Sequence, residues 1–178
     1  YKMDRDIEIV VFDGNRGIGN GLHLPAGPLR ESLKRTDEAD FIVSSSKLTR
    51  LKTKHNNYLM NYQPIEWARI KDNKRFNANS WPLSKNVHAV AGIGNPAKFF
   101  NTLISLGLNP IRHSFPDHYQ FKEEDLDFGD TLPIIMTEKD AVRCLEMNSN
   151  NLWYLSVEAK FENEDLAENI LNKLTINK

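Results

Sequence analysis

Cysteine is nearly absent from this chain: one residue, Cys144, stands among 178. A single thiol excludes an internal disulfide and a cysteine-based zinc site, and it agrees with a reducing compartment. In a helical stretch it reads as a small buried apolar side chain rather than a catalytic thiol. Charge of one sign is not in excess either, with 23 basic against 24 acidic residues, so no global field favours nucleic acid. No run is long and apolar enough to span a bilayer, so a lipid ligand has to be met at the surface. No G-x-x-x-x-G-K-S/T segment occurs, so a complete Walker phosphate cradle is not among these residues. What is present suffices for a packed core in one or two small domains, because 40% of the residues are hydrophobic.

The most informative run is Gly19-Asn20-Gly21-Leu22-His23-Leu24-Pro25-Ala26-Gly27-Pro28-Leu29-Arg30-Glu31. It follows Ile7 to Phe12, a nearly continuous apolar, β-branched stretch of the kind that forms a strand covered on both faces. Asp13-Gly14 ends that strand, and the glycines and prolines beyond it suit a loop that approaches a ligand closely. Pro28 fits the first position of a helix whose free N–H groups face the loop. Arg30 is then placed to fork onto phosphate oxygens and Glu31 to ligate a hard cation. An ordinary strand-loop-helix connection with a rigid turn uses the same residues, and glycine and proline content alone leaves both readings open.

Further along, Ala39 to Ser44 reads as a second strand, and residues 47–86 mix charges, asparagines and isolated aromatics with little periodicity. Lys47, Arg50, Lys52, Lys54 and His55 form a local basic run there, a solvated connector or a means of holding an anionic surface. Order returns at Val87 to Ala91, a buried strand, followed by a helix whose apolar face carries Phe99, Phe100, Leu103, Ile104 and Leu106 and which stops at Gly107. Pro110 to Phe115 and Leu132 to Met136 are further strands, Lys122 to Asp127 is a helical turn, and Thr137 with Asp140 caps a helix through Leu145. Leu155, Val157, Ala159 and Phe161 alternate as a half-buried strand, and Leu166, Ile170, Leu171 and Leu174 stripe a closing helix. Repeated strand-helix units predict an α/β fold with a mostly parallel sheet layered with helices.

Three sites invite chemistry. Asp117-His118 sits on a turn after a strand, where side chains project into a cleft; a histidine satisfying a loop carbonyl is the plain alternative. Gly92-Ile93-Gly94-Asn95-Pro96 resembles half of a dinucleotide turn but lacks the third glycine and a ribose-binding acid, so it ranks below a structural turn in which Asn95 caps a helix or reaches substrate. Thr137-Glu138-Lys139-Asp140 places charges at a helix start, where acids are favoured in any case and Lys139 is a minor candidate for phosphate. Trp67, Trp81 and Trp153 either pack or touch acyl chains.

Taken together, Asn20 to Glu31, Val87 to Phe100, Phe115 to Tyr119 and Met136 to Val142, in that order, resemble the tetraacyldisaccharide 4'-kinase family, the lipid A kinases of Gram-negative bacteria. The likeness runs from about Arg5 to about Ala159, with residues 47–86 poorly matched. It implies a P-loop-kinase-like fold and ATP with Mg2+ as cofactors. The implied reaction moves the γ-phosphate to the 4'-hydroxyl of a tetraacylated disaccharide 1-phosphate, giving lipid IVA, in peripheral contact with the cytoplasmic face of the inner membrane. It further implies phosphate or substrate contacts from Asn20, Arg30 and Asn95 and a metal contact from Glu31. His118 is implied to assist a catalytic Asp from an N-terminal domain, while Asp117 fixes the turn or the imidazole.

The sequence departs from that family in lacking both the Walker loop and an Asp-Asp-Gly-x-x-His motif, and it begins without Met. The expectation is therefore a C-terminal portion of a two-domain enzyme, inactive alone and lacking an N-terminal P-loop domain. Residues 1–46 are then a remnant of the nucleotide-binding domain, 47–86 a connector with a candidate hairpin, and 87–178 a C-terminal α/β domain. A non-catalytic α/β binding or interaction module is the alternative, and a dinucleotide-dependent enzyme centred on Gly92 and Gly94 a weaker third. Nucleic acid is not an expected partner.

Overall fold

A computed structural model of the chain describes residues 5–14, 17–47, 57–163 and 165–176. Contacts gather the chain into two compact units, one from residues 1–62 and 159–178 and the other from 63–158.

In the first unit β1 (Ile9–Phe12) lies parallel to β2 (Phe41–Ser44), with Ile9 opposite Phe41. β2 in turn lies parallel to the first residues of β3 (Asn57–Arg69), with Ile42 opposite Asn57. β2 is buried throughout, as a continuous Phe-Ile-Val run requires. β1 departs from the expectation of a strand covered on both faces: it is four residues long, and Val11 is 62% exposed. The reason is its position at the end of the strand order, with β2 as its neighbour. The end of β8 (Leu152–Phe161) and α4 (Leu166–Ile176) complete this unit, with Phe41, Val43, Tyr58 and Leu166 as its core.

Here too the expected alternation fails in part. Leu155 is buried, but Val157 and Phe161 are exposed, and of the predicted helix stripe Leu166 and Ile170 pack while Leu171 and Leu174 face outward. Val11, Phe161 and Ile170 line an open apolar groove of about 670 Å³.

No helix opens at Pro28. Leu29 N–H donates to the Leu22 carbonyl (3.2 Å) and Leu24 N–H to the Leu29 carbonyl (2.9 Å), so the loop pinches shut across itself and buries Leu29. Those bonds consume backbone groups that a helix start leaves free. The helix here, α1 (Arg35–Glu38), begins seven residues later and is one turn long.

The second unit holds the sheet order β3-β8-β7-β5-β6. Residues Tyr58 to Tyr62 and Ile65 to Trp67, within the stretch of little periodicity, belong to the single strand β3, whose far end pairs antiparallel with β4 (Arg75–Asn77). β5 (Asn86–Ala91) is parallel both to β6 (Asn109–Ser114) and to β7 (Ile134–Thr137), and β7 is parallel to β8. α2 (Pro96–Ser105) makes the crossover from β5 to β6. Its local signals all operate: Asn95 accepts from Lys98 N–H, Pro96 occupies the first turn, Phe99, Phe100 and Leu103 are buried, and Gly107 takes φ +83°.

Both faces of β5 are covered, Val87, Ala89 and Ala91 by one core with α2 and Val90 by another with Leu126, Met136 and Cys144. Burial pushes the Cys144 thiol up to about 11, in line with a structural cysteine. The tryptophans pack: Trp81 lies edge-on to Trp67 (4.9 Å between ring centres) and to Trp153 (5.4 Å), and Trp67 Nε1 donates to the Ala78 carbonyl at 2.9 Å. The lysine and arginine run expected at 47–55 falls, beyond Lys47, outside the described residues.

Leu103, fully buried on α2, and its neighbour Ile104, 46% exposed, test this packing. Leu103→Ala is expected to lower unfolding free energy by about 2–5 kcal/mol and Ile104→Ala by about 0.5 kcal/mol or less, read from urea denaturation.

Candidate functional site

In the second unit the carboxyl ends of β5, β6 and β7 lead into three short segments that meet. Parallel α/β sheets gather binding groups at that end. β5 runs into Gly92, β6 into the turn Phe115-Pro116-Asp117-His118, and β7 into Thr137 and α3 (Glu138–Ala141). Backbone bonds join the first two: Phe115 N–H donates to the Ala91 carbonyl (2.9 Å) and His118 N–H to that of Gly92 (3.2 Å).

Asp140 joins the third. Its carboxylate is fully buried and accepts from Gly92 N–H (3.0 Å), from the Thr137 hydroxyl (2.7 Å) and from the Arg143 guanidinium (2.8 Å). A buried carboxylate persists only with such partners. Gly92 eases the approach, since a Cβ there would lie 3.2 Å from both Asp140 Oδ1 and the Pro116 carbonyl oxygen, a contact that one of them would have to relieve by a small shift.

His118 stands above this anchor with φ +64°, a left-handed conformation costly for a side chain with a Cβ and often seen where a turn presents a working group. Its ring has cations on both sides. Arg143 Nη2 lies 3.1 Å from Nδ1, and Lys139 Nζ lies 3.5 Å from Nε2. Asp117 Oδ2 is 3.9 Å from Nε2, and Asp117 Oδ1 accepts from Lys139 Nζ at 3.2 Å. The Lys139 hydrogen bond, foremost, holds the Asp117 carboxyl below the usual carboxylate range. The turn therefore presents an ionised Asp117, an imidazole and an ammonium within reach of one another.

Asp117 and His118 are thus brought together, and Asn95 lies at the neighbouring start of α2, where its side chain caps the helix (3.4 Å to Lys98 N–H). Arg143 was not anticipated. The signal available was its spacing of three from Asp140 on a Thr-capped helix, which sets the two side chains on one face.

Asn20, Arg30 and Glu31 belong to the first unit. Asn20 staples its own loop, accepting from Leu22 N–H (3.1 Å) and donating to the Ala26 carbonyl (2.9 Å). Gly27 has no room for a side chain, since a Cβ would fall 2.2 Å from Asn20 Oδ1. Arg30 and Glu31 are exposed and border a groove of about 590 Å³ with Glu8, Phe12 and Arg35. Glu31 pairs with Arg35 Nε at 3.2 Å, and Arg35 also meets Glu8 and Glu38. Among the described residues no three His, Cys, Asp or Glu side chains are grouped to hold a metal. One exposed carboxylate fits a magnesium ion only as a single ligand, the rest of the octahedron coming from phosphate, water or other residues.

A second titratable cluster lies elsewhere in the 63–158 unit. His88 Nδ1 and His113 Nε2 are 2.9 Å apart, Asp130 lies 3.1 Å from His88 Nε2, and Phe128 stacks on both rings. Burial first, and then His88, holds His113 below the usual imidazole value. The Leu132 N–H and then His88 lower Asp130.

The family model for LpxK, tetraacyldisaccharide-1-P 4'-kinase, matches residues 1–175. Curated tetraacyldisaccharide 4'-kinases are similar: that of Hahella chejuensis is 44% identical over 158 residues, covering 89% of this chain and 46% of the relative. The one from Legionella pneumophila is 46% identical over 160 residues (90% and 47%), and that of Ruthia magnifica 42% over 174 residues (98% and 52%). The chain spans about half the length of these relatives. A crystal structure of the apo form of LpxK from Aquifex aeolicus in complex with ATP superposes with a TM-score of 0.71 at 24% identity, covering 96% of this chain and 53% of that one, which shows a shared fold.

Two outcomes follow from the geometry. Asp140→Ala strips the acceptor from Gly92, Thr137 and Arg143 and is expected to cost about 3–5 kcal/mol in urea denaturation, with Asp117→Ala, at the exposed rim, costing far less. Unfolding returns His113 to its ordinary value near 6.5, so the unfolded chain binds the extra proton first as pH falls. The His113 contribution should therefore weaken stability as pH drops below 6.5 and level off below its lowered folded value. His113→Phe should flatten that slope in denaturation midpoints measured across the interval.

Proposed function

The chain belongs to the tetraacyldisaccharide 4'-kinase family, and from that premise we propose that it is the C-terminal half of an enzyme that phosphorylates the 4'-hydroxyl of tetraacyldisaccharide 1-phosphate from ATP, yielding lipid IVA. Residues 1–46 then complete a nucleotide-binding domain, and the C-terminal α/β domain expected at 87–178 is carried by the compact 63–158 unit, residues 159–178 grouping with the first residues instead. The observation that carries the reading is the Asp117-His118 turn, held at the carboxyl ends of parallel strands by the buried Asp140.

In this reading His118 works on the acceptor hydroxyl together with a carboxylate from the N-terminal half, while Asp117 and Lys139 fix its surroundings. Asn95 borders the same face. Arg30 meets nucleotide phosphate, and Asn20 holds the loop that presents it. Glu31 supplies one oxygen to Mg2+. The metal, when bound, neutralises charge on the transferred phosphoryl group. Without a Walker lysine in these residues, the 178-residue chain alone has no phosphate cradle. A lipid acceptor calls for peripheral contact with the inner membrane; among the described residues no helix is long and apolar enough to cross one.

The test is transfer of radiolabelled γ-phosphate to the lipid disaccharide by the full-length protein, with the 178-residue chain expected to show none. His118→Ala in the full-length protein should cut kcat far more than it raises KM for either substrate. Arg30→Ala and Glu31→Ala should each slow the reaction about tenfold to a hundredfold, the loss of one charge-assisted contact. Wild-type rates for all three across a Mg2+ titration would overturn the reading.

A further inference from the structure

We infer that Arg143 is a positioning residue that fixes the tautomer of His118, keeping Nδ1 as the lone-pair nitrogen and the proton on Nε2. The inference gains its catalytic meaning from the function proposed above, but the tautomer itself stands on geometry.

A guanidinium has five N–H donors and no acceptor, so the 3.1 Å contact between Arg143 Nη2 and His118 Nδ1 is a hydrogen bond only when Nδ1 bears the lone pair. A neutral imidazole has one such nitrogen, which leaves the proton on Nε2. Nε2 also faces a donor, Lys139 Nζ, but at the longer distance of 3.5 Å, and Lys139 has a second acceptor in Asp117 Oδ1 at 3.2 Å, so the closer contact at Nδ1 decides the tautomer. The opposite tautomer would set Nδ1–H against the guanidinium at the shorter of the two distances.

Arg143 is itself held. Its Nη1 donates to buried Asp140 Oδ1 at 2.8 Å, and its side chain is 14% exposed. The fork is thus shared, one arm on Asp140 and the other on His118, which a single ammonium does not reproduce. From the other side, the His118 backbone is tied to the Gly92 carbonyl. Backbone and ring are thus tied to different segments, the one that follows β5 and the one that follows β7.

The consequence is chemical. In this tautomer Nε2 donates a hydrogen bond and does not take a proton, and Nδ1 takes one only by leaving Arg143. His118 then orients a carboxylate or hydroxyl through Nε2–H, and the proton of the acceptor hydroxyl goes to another base.

Nitrogen-15 correlation spectra of the imidazoles in the 178-residue chain, taken above the ordinary histidine range, test this directly. The expected result is one tautomer at His118, Nδ1 unprotonated and Nε2 protonated. Arg143→Lys keeps a cation for Asp140 and should retain the fold, yet it should return His118 to the tautomer mixture of a free side chain; Arg143→Ala should do the same wherever it folds. In the full-length enzyme Arg143→Lys should lower kcat about tenfold, the loss of one charge-assisted hydrogen bond, with KM for ATP unchanged. A protonated Nδ1 in the wild type, or a single tautomer retained in Arg143→Lys, would overturn the assignment. A fixed tautomer with an unchanged kcat in His118→Ala would leave it standing and remove the proposed catalytic role instead.

Discussion

One buried carboxylate holds the carboxyl ends of the parallel strands of the 63–158 unit together. Asp140 sits at the start of a helix of a single turn, yet it collects the backbone of Gly92 after β5, the hydroxyl of Thr137 after β7 and the guanidinium that reaches His118 after β6. Two of those segments are also tied to the cores, Ile93 after Gly92 to one and Phe115, Tyr119 and Phe121 to the other, but apolar contacts set no direction for the polar groups between them. The carboxylate supplies what the hydrophobic core does not, a directional constraint on three strand ends at once. Arginine extends the constraint one residue further, to a side chain that is itself 68% exposed. The site thus has an exposed tip on a buried root.

The first unit shows a different solution to presenting polar groups. Its loop from Gly19 to Leu29 is fixed by its own backbone and by Asn20, with glycines where no Cβ fits, and Arg30 and Glu31 follow it on an exposed segment bridged to α1 by Arg35. No buried charge is involved. Rigidity comes from close approach of main chain to main chain.

How much of this was legible in the sequence depended on the range of the cause. The β5-α2-β6 segment declared itself because its signals are local: an apolar strand, an Asn-Pro helix start, apolar residues at helical spacing and Gly107 to end it. The Asp117-His118 turn was legible for the same reason, together with its likeness to a known family. The supposed helix at Pro28 was misread because what stops it is a pair of backbone bonds to Leu22 and Leu24, and nothing in the composition of the loop announces them. The exposure of Val11 was hidden because a strand does not encode its place in the strand order. The spacing of Arg143 from Asp140 was legible, but its reach to a ring 25 residues earlier in the chain was not.

The packing of the tryptophans carries a spectroscopic consequence. All three indoles of the chain, Trp67, Trp81 and Trp153, fall in the 63–158 unit and touch as one cluster with Trp81 in the middle. Intrinsic indole emission therefore reports a single locality, and the rings are close enough to pass excitation among themselves. Melting confined to β1, β2 and α4 would be silent in indole emission and would have to be followed by circular dichroism, to which those elements contribute. Phenol emission would not isolate them, because Tyr119 and Tyr154 lie with the indoles in the 63–158 unit.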